Sequence, residues 1–204
     1  MLLVPLILSL TVHEYAHAWT AARLGDDTAE RMGRLTLNPF AHIDLFGTIL
    51  LPLLGIPFGW AKPVPIDPSR FRRGVKVTTG AMLTAGAGPL SNVILAFICL
   101  LALALGARFA PGLVGRHSPG AALLSLCVTL NVTLAVFNLI PVPPLDGSRV
   151  VEGLVPYRWR GAWDRFAALS PFLLIGVIFL GPRIIAGPSD LLLSLLFRLV
   201  NVIA

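Results

Sequence analysis

Long apolar runs dominate this 204-residue chain, and they decide which folds it can adopt. The chain is 56% hydrophobic and only 13% charged, whereas charged residues make up about 25% of a soluble domain. A helix needs about 20 apolar residues to cross a bilayer. Five runs approach that length, namely 2–22, 80–106, 119–141, 168–185 and 188–204. The sequence therefore predicts a single domain over residues 1–204, an all-α polytopic membrane protein with about five transmembrane helices.

Glycine and proline interrupt this pattern in two regions. The last two apolar runs are short and are separated by Gly181-Pro182 and Gly187-Pro188, so a hairpin or two tilted spans are predicted there. A sixth run, 45–60, contains three glycines and two prolines. Irregular backbone of this kind is tolerated at membrane depth only inside protein or beside a wet cavity. We therefore expect a re-entrant or interfacial segment near 45–65 rather than another crossing.

Arginine and lysine are distributed unevenly among the connections between the runs. Connection 23–79 holds eight of them and 146–166 holds four, whereas 107–118 holds only two. Basic residues are retained on the cytoplasmic side of a membrane, so the first two connections are predicted in the cytoplasm, and the third and the N-terminus outside. The net charge of +6 follows from this bias. It predicts a multi-pass protein of the cell membrane with the lipid bilayer as its surroundings and no nucleic-acid partner.

The first apolar run contains the sequence His13-Glu14-Tyr15-Ala16-His17. On a helix, His13 and His17 are one turn apart and share a face, so their imidazoles can hold one Zn²⁺ per chain while Glu14 lies beside it as a base. Ionisable side chains at bilayer depth are costly unless they serve a site. The histidines precede Arg23 by about 9–15 Å of helix rise. The pattern therefore predicts a zinc site inside the bilayer, toward the cytoplasm, with Glu14 as its catalytic residue.

A catalytic zinc usually has three protein ligands and one open position, and Asp146 is the strongest candidate for the third. It lies in 138–147, where three prolines prevent a regular helix, as expected of a buried or wet site. His42 and Asp44 follow a turn and are interpreted as solvated or capping residues, with Asp44 the next ligand candidate. His117 falls on the external side. Zinc–ligand bonds of about 2 Å allow Asp146 to reach the histidines only if 45–60 does not cross the membrane.

These residues together resemble the site-2 protease family of intramembrane zinc metalloproteases, and the resemblance covers most of the chain. The matching segments are His13–Ala18, Gly33–Pro39, Gly59–Pro65, Ala87–Asn92 and Asn138–Gly147. Where other members have Asn-Pro before the Asp-Gly pair, this chain has Pro143-Pro144, which leaves Asn138 as the nearest equivalent amide. No PDZ or CBS domain is recognisable, so a minimal member is expected.

The resemblance implies an endopeptidase that cuts transmembrane proteins or peptides near the cytoplasmic face, releasing a signalling fragment or clearing remnant peptides. It implies zinc held by His13, His17 and Asp146, with Glu14 taking a proton from water. Asn138, or else Asn92, is expected to hydrogen-bond the oxyanion or position the substrate. For Asn92, a polar contact between packed helices is an equal alternative.

Two questions stay open at this level. Segment 59–65 could offer an edge to an extended substrate or form an interfacial loop marked by Trp60 and Lys62. The histidines could instead belong to a membrane metal-binding protein or transporter without proteolytic activity. A transporter would be expected to distribute ionisable residues over several spans and to show related halves, whereas here they cluster in two motifs without an internal repeat. The sequence indicates neither the oligomeric state nor the identity of the substrate.

Overall fold

The computed structural model describes residues 3–54, 60–115 and 118–203, and helices account for most of them. The α-helices are α1 (Leu3–Leu24), α2 (Thr28–Arg31), α3 (Leu51–Leu53), α4 (Val77–Phe109), α5 (Pro111–Val114), α6 (Pro119–Asn138), α7 (Asp146–Leu154), α8 (Arg160–Ala168) and α9 (Ser170–Ile203). Three short 3₁₀ helices and a π-helix complete the described structure, at Pro39–Ala41, Pro68–Arg70, Tyr157–Trp159 and Leu45–Leu50. No strand occurs within the described ranges.

Three of these helices, α4, α6 and α9, are long and apolar enough to cross a membrane. Helix α1 has 22 residues and packs against both α4 and α6. The N-terminus of α6 shows the local signals that start a helix: Pro119 occupies its first turn, and Ser118 accepts a hydrogen bond from the N–H of Ala121 at 3.1 Å. The described chain is thus an all-α membrane protein, as predicted.

The C-terminal region differs from the prediction. The two runs expected as separate spans, 168–185 and 188–204, belong to the single 34-residue helix α9, with Pro182 and Pro188 inside it. Each proline removes one backbone donor, but a full break would leave several backbone groups unpaired in an apolar environment, which costs more. The predicted break, and with it the count of five spans, is therefore not reproduced in the described residues.

The core lies where the long helices meet. Small residues allow close packing there: Ala18 and Ala21 of α1 and Ala96 of α4 have no exposed surface. The main apolar cluster joins α4, α6 and α9 through Ala96, Cys99, Leu100, Val128, Val132, Leu196 and Val200. This packing brings α1, which carries the two histidines, against the middle of α4.

The two described ends of segment 45–60 lie next to each other. The N–H of Trp60 donates to the carbonyl of Gly47 at 3.3 Å, and the Thr48 hydroxyl donates to the carbonyl of Trp60 at 2.7 Å. The segment therefore ends beside the place where it begins, which fits the expected re-entrant or interfacial segment. Residues 55–59, with two of the three glycines and one of the two prolines predicted to break it, lie outside the described residues.

Candidate active site

The two histidines and Asp146 meet at the junction of α1 and α7. Nε2 of His13 lies 3.0 Å from Nε2 of His17, and Oδ2 of Asp146 lies 3.1 Å from the first and 3.4 Å from the second. Helix α7 starts this close because residue 147 is glycine: a Cβ there would lie 2.7 Å from the carbonyl oxygen of Ile140 and closer still to that of Leu139. The end of α6 and the start of α7 can therefore touch, with Asp146 directed at α1.

The spacing of these three atoms fits a metal ion. They form one compact group, with all ligand atoms within 4.8 Å of one another. The point equidistant from the three atoms lies about 1.8 Å from each, slightly inside the Zn–N and Zn–O bond lengths of about 2.0–2.2 Å. An ion displaced slightly from their plane would satisfy all three bonds and keep one side open. The donor set of two imidazoles and a carboxylate is also that of hydrolytic zinc sites.

The electrostatics of this group call for a cation. His13 and His17 are buried, and Oδ2 of Asp146 is a buried acceptor without a hydrogen-bond donor among the described residues. Lone pairs at these distances repel one another unless a proton or a metal ion lies between them. A cation held between the three atoms would give the buried carboxylate an opposite charge to pair with.

Each imidazole is oriented by a hydrogen bond from its other nitrogen. Nδ1 of His13 lies 2.7 Å from Oδ1 of Asn92, and Nδ1 of His17 lies 2.7 Å from the carbonyl oxygen of Thr84. An amide oxygen and a carbonyl only accept, so both Nδ1 atoms donate and both Nε2 atoms face the site. This arrangement is typical of metal-binding histidines.

Glu14 lies one residue beyond His13 and points to the same cavity. Its Oε2 accepts a hydrogen bond from the N–H of Val64 at 2.8 Å. The sequence did not indicate this contact, because a backbone donor leaves no residue-type signal. The hydrogen bond fixes the carboxylate at the cavity wall.

A cavity of about 590 Å³ connects these side chains. Its walls are mostly apolar, and its polar lining consists of His13, Glu14, His17, Asn138, Asp146 and Arg149. Asn138 donates one amide hydrogen to the carbonyl of Leu134 at 3.0 Å. The exposed side chain of Arg149 has no hydrogen-bond or ion-pair partner among the described residues.

Asn92 lies behind His13 rather than in this cavity. The residue is fully buried, and its amide nitrogen donates to Oδ1 of Asn131 at 2.8 Å and, more weakly, to the carbonyl of Ser9 at 3.4 Å. Its N–H groups are thus directed away from the cavity. Of the two roles considered for Asn92, the geometry favours the contact between packed helices over oxyanion stabilisation.

Residues 60–66, which we call the rim segment, form one wall of the cavity. The backbone N–H groups of three alternate residues donate hydrogen bonds: Trp60 to the carbonyl of Gly47 at 3.3 Å, Lys62 to the carbonyl of His42 at 2.9 Å, and Val64 to Oε2 of Glu14 at 2.8 Å. The guanidinium of Arg34, itself only 7% exposed, donates to the carbonyls of Lys62 at 2.5 Å and Pro63 at 3.3 Å. The rim segment is therefore a fixed wall rather than a loose interfacial loop.

The remaining candidates have structural roles. Asp44 caps the π-helix, accepting from the N–H groups of Phe46 and Gly47, which confirms the capping interpretation. Of the two roles predicted for His42, solvated or capping, the structure shows the second: its backbone caps the 3₁₀ helix Pro39–Ala41, while the residue is 2% exposed and its Nε2 lies 2.8 Å from the carbonyl of Thr36. Its burial follows from the packing of the polar connection under the rim segment. His117 lies outside the described residues.

Comparison with known proteins places the chain in a family. The profile of a family described as "Peptidase family M50" matches residues 112–180. A Bacillus subtilis protein named "Putative zinc metalloprotease YwhC" is 42% identical over 182 residues, covering 89% of this chain and 80% of that protein. Two proteins named "Putative zinc metalloprotease Rip2" are each 32% identical to this chain, over 184 residues in Mycolicibacterium smegmatis and over 179 residues in Mycobacterium tuberculosis. Each alignment covers 87% of this chain and 66% of the relative.

No solved structure gave a significant match. The similarity to YwhC extends over most of both chains. The chain belongs to the site-2 protease family of zinc metalloproteases, peptidase family M50.

Proposed function

We propose that this chain hydrolyses peptide bonds of membrane-spanning substrates near the cytoplasmic face of the cell membrane. The main support is the convergence of His13, His17 and Asp146 at mutual distances of 3.0–3.4 Å, with Glu14 lining the same cavity. A metal-storage or transport site would need the ligands but not Glu14. The products would be either signalling fragments or cleared remnant peptides.

In the proposed reaction, His13, His17 and Asp146 would hold the zinc. Bound zinc would act as a Lewis acid toward the scissile carbonyl and make a water molecule more acidic. Glu14 takes a proton from the attacking water as the oxygen bonds to the carbonyl carbon. Glu14 then returns a proton to the amide nitrogen as the C–N bond breaks, so that a carboxylic acid and an amine leave. The N–H of Val64 holds Glu14 in place for both transfers.

Substrate binding in this scheme requires unwinding. A transmembrane helix uses its peptide N–H and C=O groups internally, so a scissile bond becomes accessible only in extended backbone. Arg34 holds the rim segment through the carbonyls of Lys62 and Pro63, and Ala61 and Pro63 line the cavity. Proline has no N–H and the Pro63 carbonyl is already bound, so an extended substrate could pair with the backbone of Ala61. Asn138, with one of its two amide hydrogens bound to Leu134, is placed to donate the other to the substrate carbonyl.

The placement in the membrane is part of the proposal. We take α1 as a fourth crossing beside α4, α6 and α9, with the N-terminus outside and connections 23–79 and 146–166 in the cytoplasm. The basic residues concentrate in those connections, and the cavity lies where both reach it, through the rim segment and α7. Water would then enter from the cytoplasmic side.

Glu14→Gln tests this function because it separates metal binding from chemistry. The amide has nearly the same shape and leaves the three ligands untouched, so zinc should remain at one per chain. It cannot take a proton from water, so cleavage of a transmembrane peptide in detergent should fall by about 10²–10⁴-fold. Glu30→Gln, an exposed carboxylate on α2, is the matched control and should cleave normally. A transporter or binding scaffold would show no zinc-dependent cleavage in either protein, and wild-type activity in Glu14→Gln would contradict the mechanism.

A further inference from the structure

Three buried polar side chains form a chain of hydrogen bonds behind His13. Asn92 of α4 accepts from Nδ1 of His13 at 2.7 Å and donates to Oδ1 of Asn131 on α6 at 2.8 Å. Asn131 in turn donates to the hydroxyl of Ser9 on α1 and to the carbonyl of Cys127, both at 2.9 Å. Ser9, Asn92 and Asn131 are at most 1% exposed. Polar groups this deep among apolar helices are costly unless they are paired, and here each one is paired.

The orientation of the Asn131 amide determines which atoms donate and which accept along this chain of hydrogen bonds. The carbonyl of Cys127 can only accept, so it fixes the amide nitrogen of Asn131 toward its own helix and leaves Oδ1 facing Asn92. Oδ1 accepts, so Asn92 presents its nitrogen to Asn131 and its oxygen to His13. If the Asn92 amide were turned around, its N–H would face Nδ1 of His13, and the imidazole proton would move to Nε2. The Nε2 lone pair that points into the site would then be lost.

We infer that Asn131, which does not touch the site, is a positioning residue that sets the tautomer of His13 and thereby the zinc affinity. This inference rests on the proposed metal centre and deepens it. His17 does not depend on the same device, because a backbone carbonyl, that of Thr84, receives its Nδ1–H and cannot be turned around. Asn131 therefore orients His13 by way of the Asn92 side chain, whereas the backbone of α4 orients His17 directly.

Zinc affinity measured by chelator competition on purified full-length protein tests the inference without relying on proteolysis. Asn131→Leu removes the stronger acceptor of the Asn92 amide and leaves the Ser9 carbonyl at 3.4 Å, so zinc affinity should fall by about 10–100-fold, the usual effect of losing an outer-shell partner. Ser9→Ala should change little, because Asn131 keeps its bond to the Cys127 carbonyl. Thr129→Val, which removes an exposed hydroxyl two residues away on α6, is the matched control.

A second substitution separates orientation from packing. In the Asn131→Leu background, Asn92→Asp should restore zinc affinity, because a carboxylate accepts from Nδ1 of His13 whichever way it is turned. A packing defect would not be repaired by a buried charge, so failure of this rescue would overturn the inference, as would unchanged affinity in Asn131→Leu.

Should Asn131→Leu not fold, as judged by its helical circular dichroism, the comparison moves to the smaller change Asn131→Ala. Zinc affinity should fall in Asn131→Ala and return when Asn92→Asp is added, and unchanged affinity in Asn131→Ala or no recovery with Asn92→Asp would overturn the inference. A wild-type protein that bound no zinc would overturn the proposed function as well. Zinc-loaded wild type with unaffected variants would overturn the role of Asn131 alone.

Discussion

Gly88 is the position at which α4 touches both histidines. A Cβ built on Gly88 would lie 2.5 Å from Cε1 of His17 and 2.6 Å from Cε1 of His13. Carbon atoms pack at about 3.5–4.0 Å, so Gly88→Ala would force the rings, or α4 itself, to retreat by about 1 Å. Because α4 is packed against α1, α6 and α9, the rings are the parts that can move.

That displacement is large on the scale of metal coordination. Ligand distances in a functional site hold to within about 0.2 Å, so a shift of about 1 Å removes at least one ligand from bonding distance. Loss of a partner that merely supports a ligand lowers metal affinity by 10–100-fold. Moving the ligands themselves should reach the upper end, about 100-fold, which corresponds to about 3 kcal/mol. Cleavage should fall in parallel at limiting zinc.

Gly86→Ala is the control for helix propensity. A Cβ at Gly86 meets only Cγ2 of Val150, at 3.8 Å, which is ordinary contact. Alanine is favoured over glycine inside a helix by about 1 kcal/mol, so Gly86→Ala should be neutral or stabilising, with normal zinc binding. Both variants are compared by chelator competition and by helical circular dichroism. Wild-type zinc affinity in Gly88→Ala would refute the reasoning, because the histidines would then lie elsewhere.

Two further predictions concern the rim segment and the membrane topology. Val64→Pro removes the N–H that holds Glu14, and a hydrogen bond to a charged group contributes about 1.5–3 kcal/mol. The kcat of Val64→Pro should therefore be about 10–100-fold below that of the control Val64→Ala, with unchanged zinc content. Equal kcat in the two variants would mean that another group positions Glu14. Arg72→Cys and Arg116→Cys, in a background without the two native cysteines, should be labelled by membrane-impermeant reagents from opposite sides. Labelling from the same side would contradict the proposed topology and the cavity's cytoplasmic access.

The parts of the site that the sequence predicted depend on local spacing. His13, Glu14 and His17 share a helical turn, so their relation is fixed by helix geometry alone. Asp146 is remote in sequence, but the prolines before it mark a short irregular backbone, which is tolerated at membrane depth only inside protein or beside a wet cavity. The structure brings these four residues to one cavity. Their roles as ligands and base stay predictions until zinc content and cleavage are measured.

The parts that the sequence did not predict depend on how helices pack. The hydrogen-bond partners of the Asn92 amide depend on which face of α4 packs against α1 and α6. The sequence does not show that face, so it agreed equally well with an oxyanion donor and with a contact between helices. Val64 acts through its backbone, which any residue other than proline would supply. The continuity of α9 depends on the apolar surroundings of its two prolines, whereas in water the same Gly-Pro pairs would end a helix.

The polar connection after α1 forms part of the site as well as linking α1 to α4. Arg34 and His42 are both buried under the rim segment. The guanidinium of Arg34 donates to the carbonyl of Lys62, and the carbonyl of His42 accepts from the N–H of Lys62. Two residues later, Val64 binds Glu14. Arginine suits this position because its planar donors can bind two carbonyls at once. The same segment thus holds the base through Val64 and lines the cavity beside it, so in the proposed function one piece of backbone sets both the position of Glu14 and the path of the substrate.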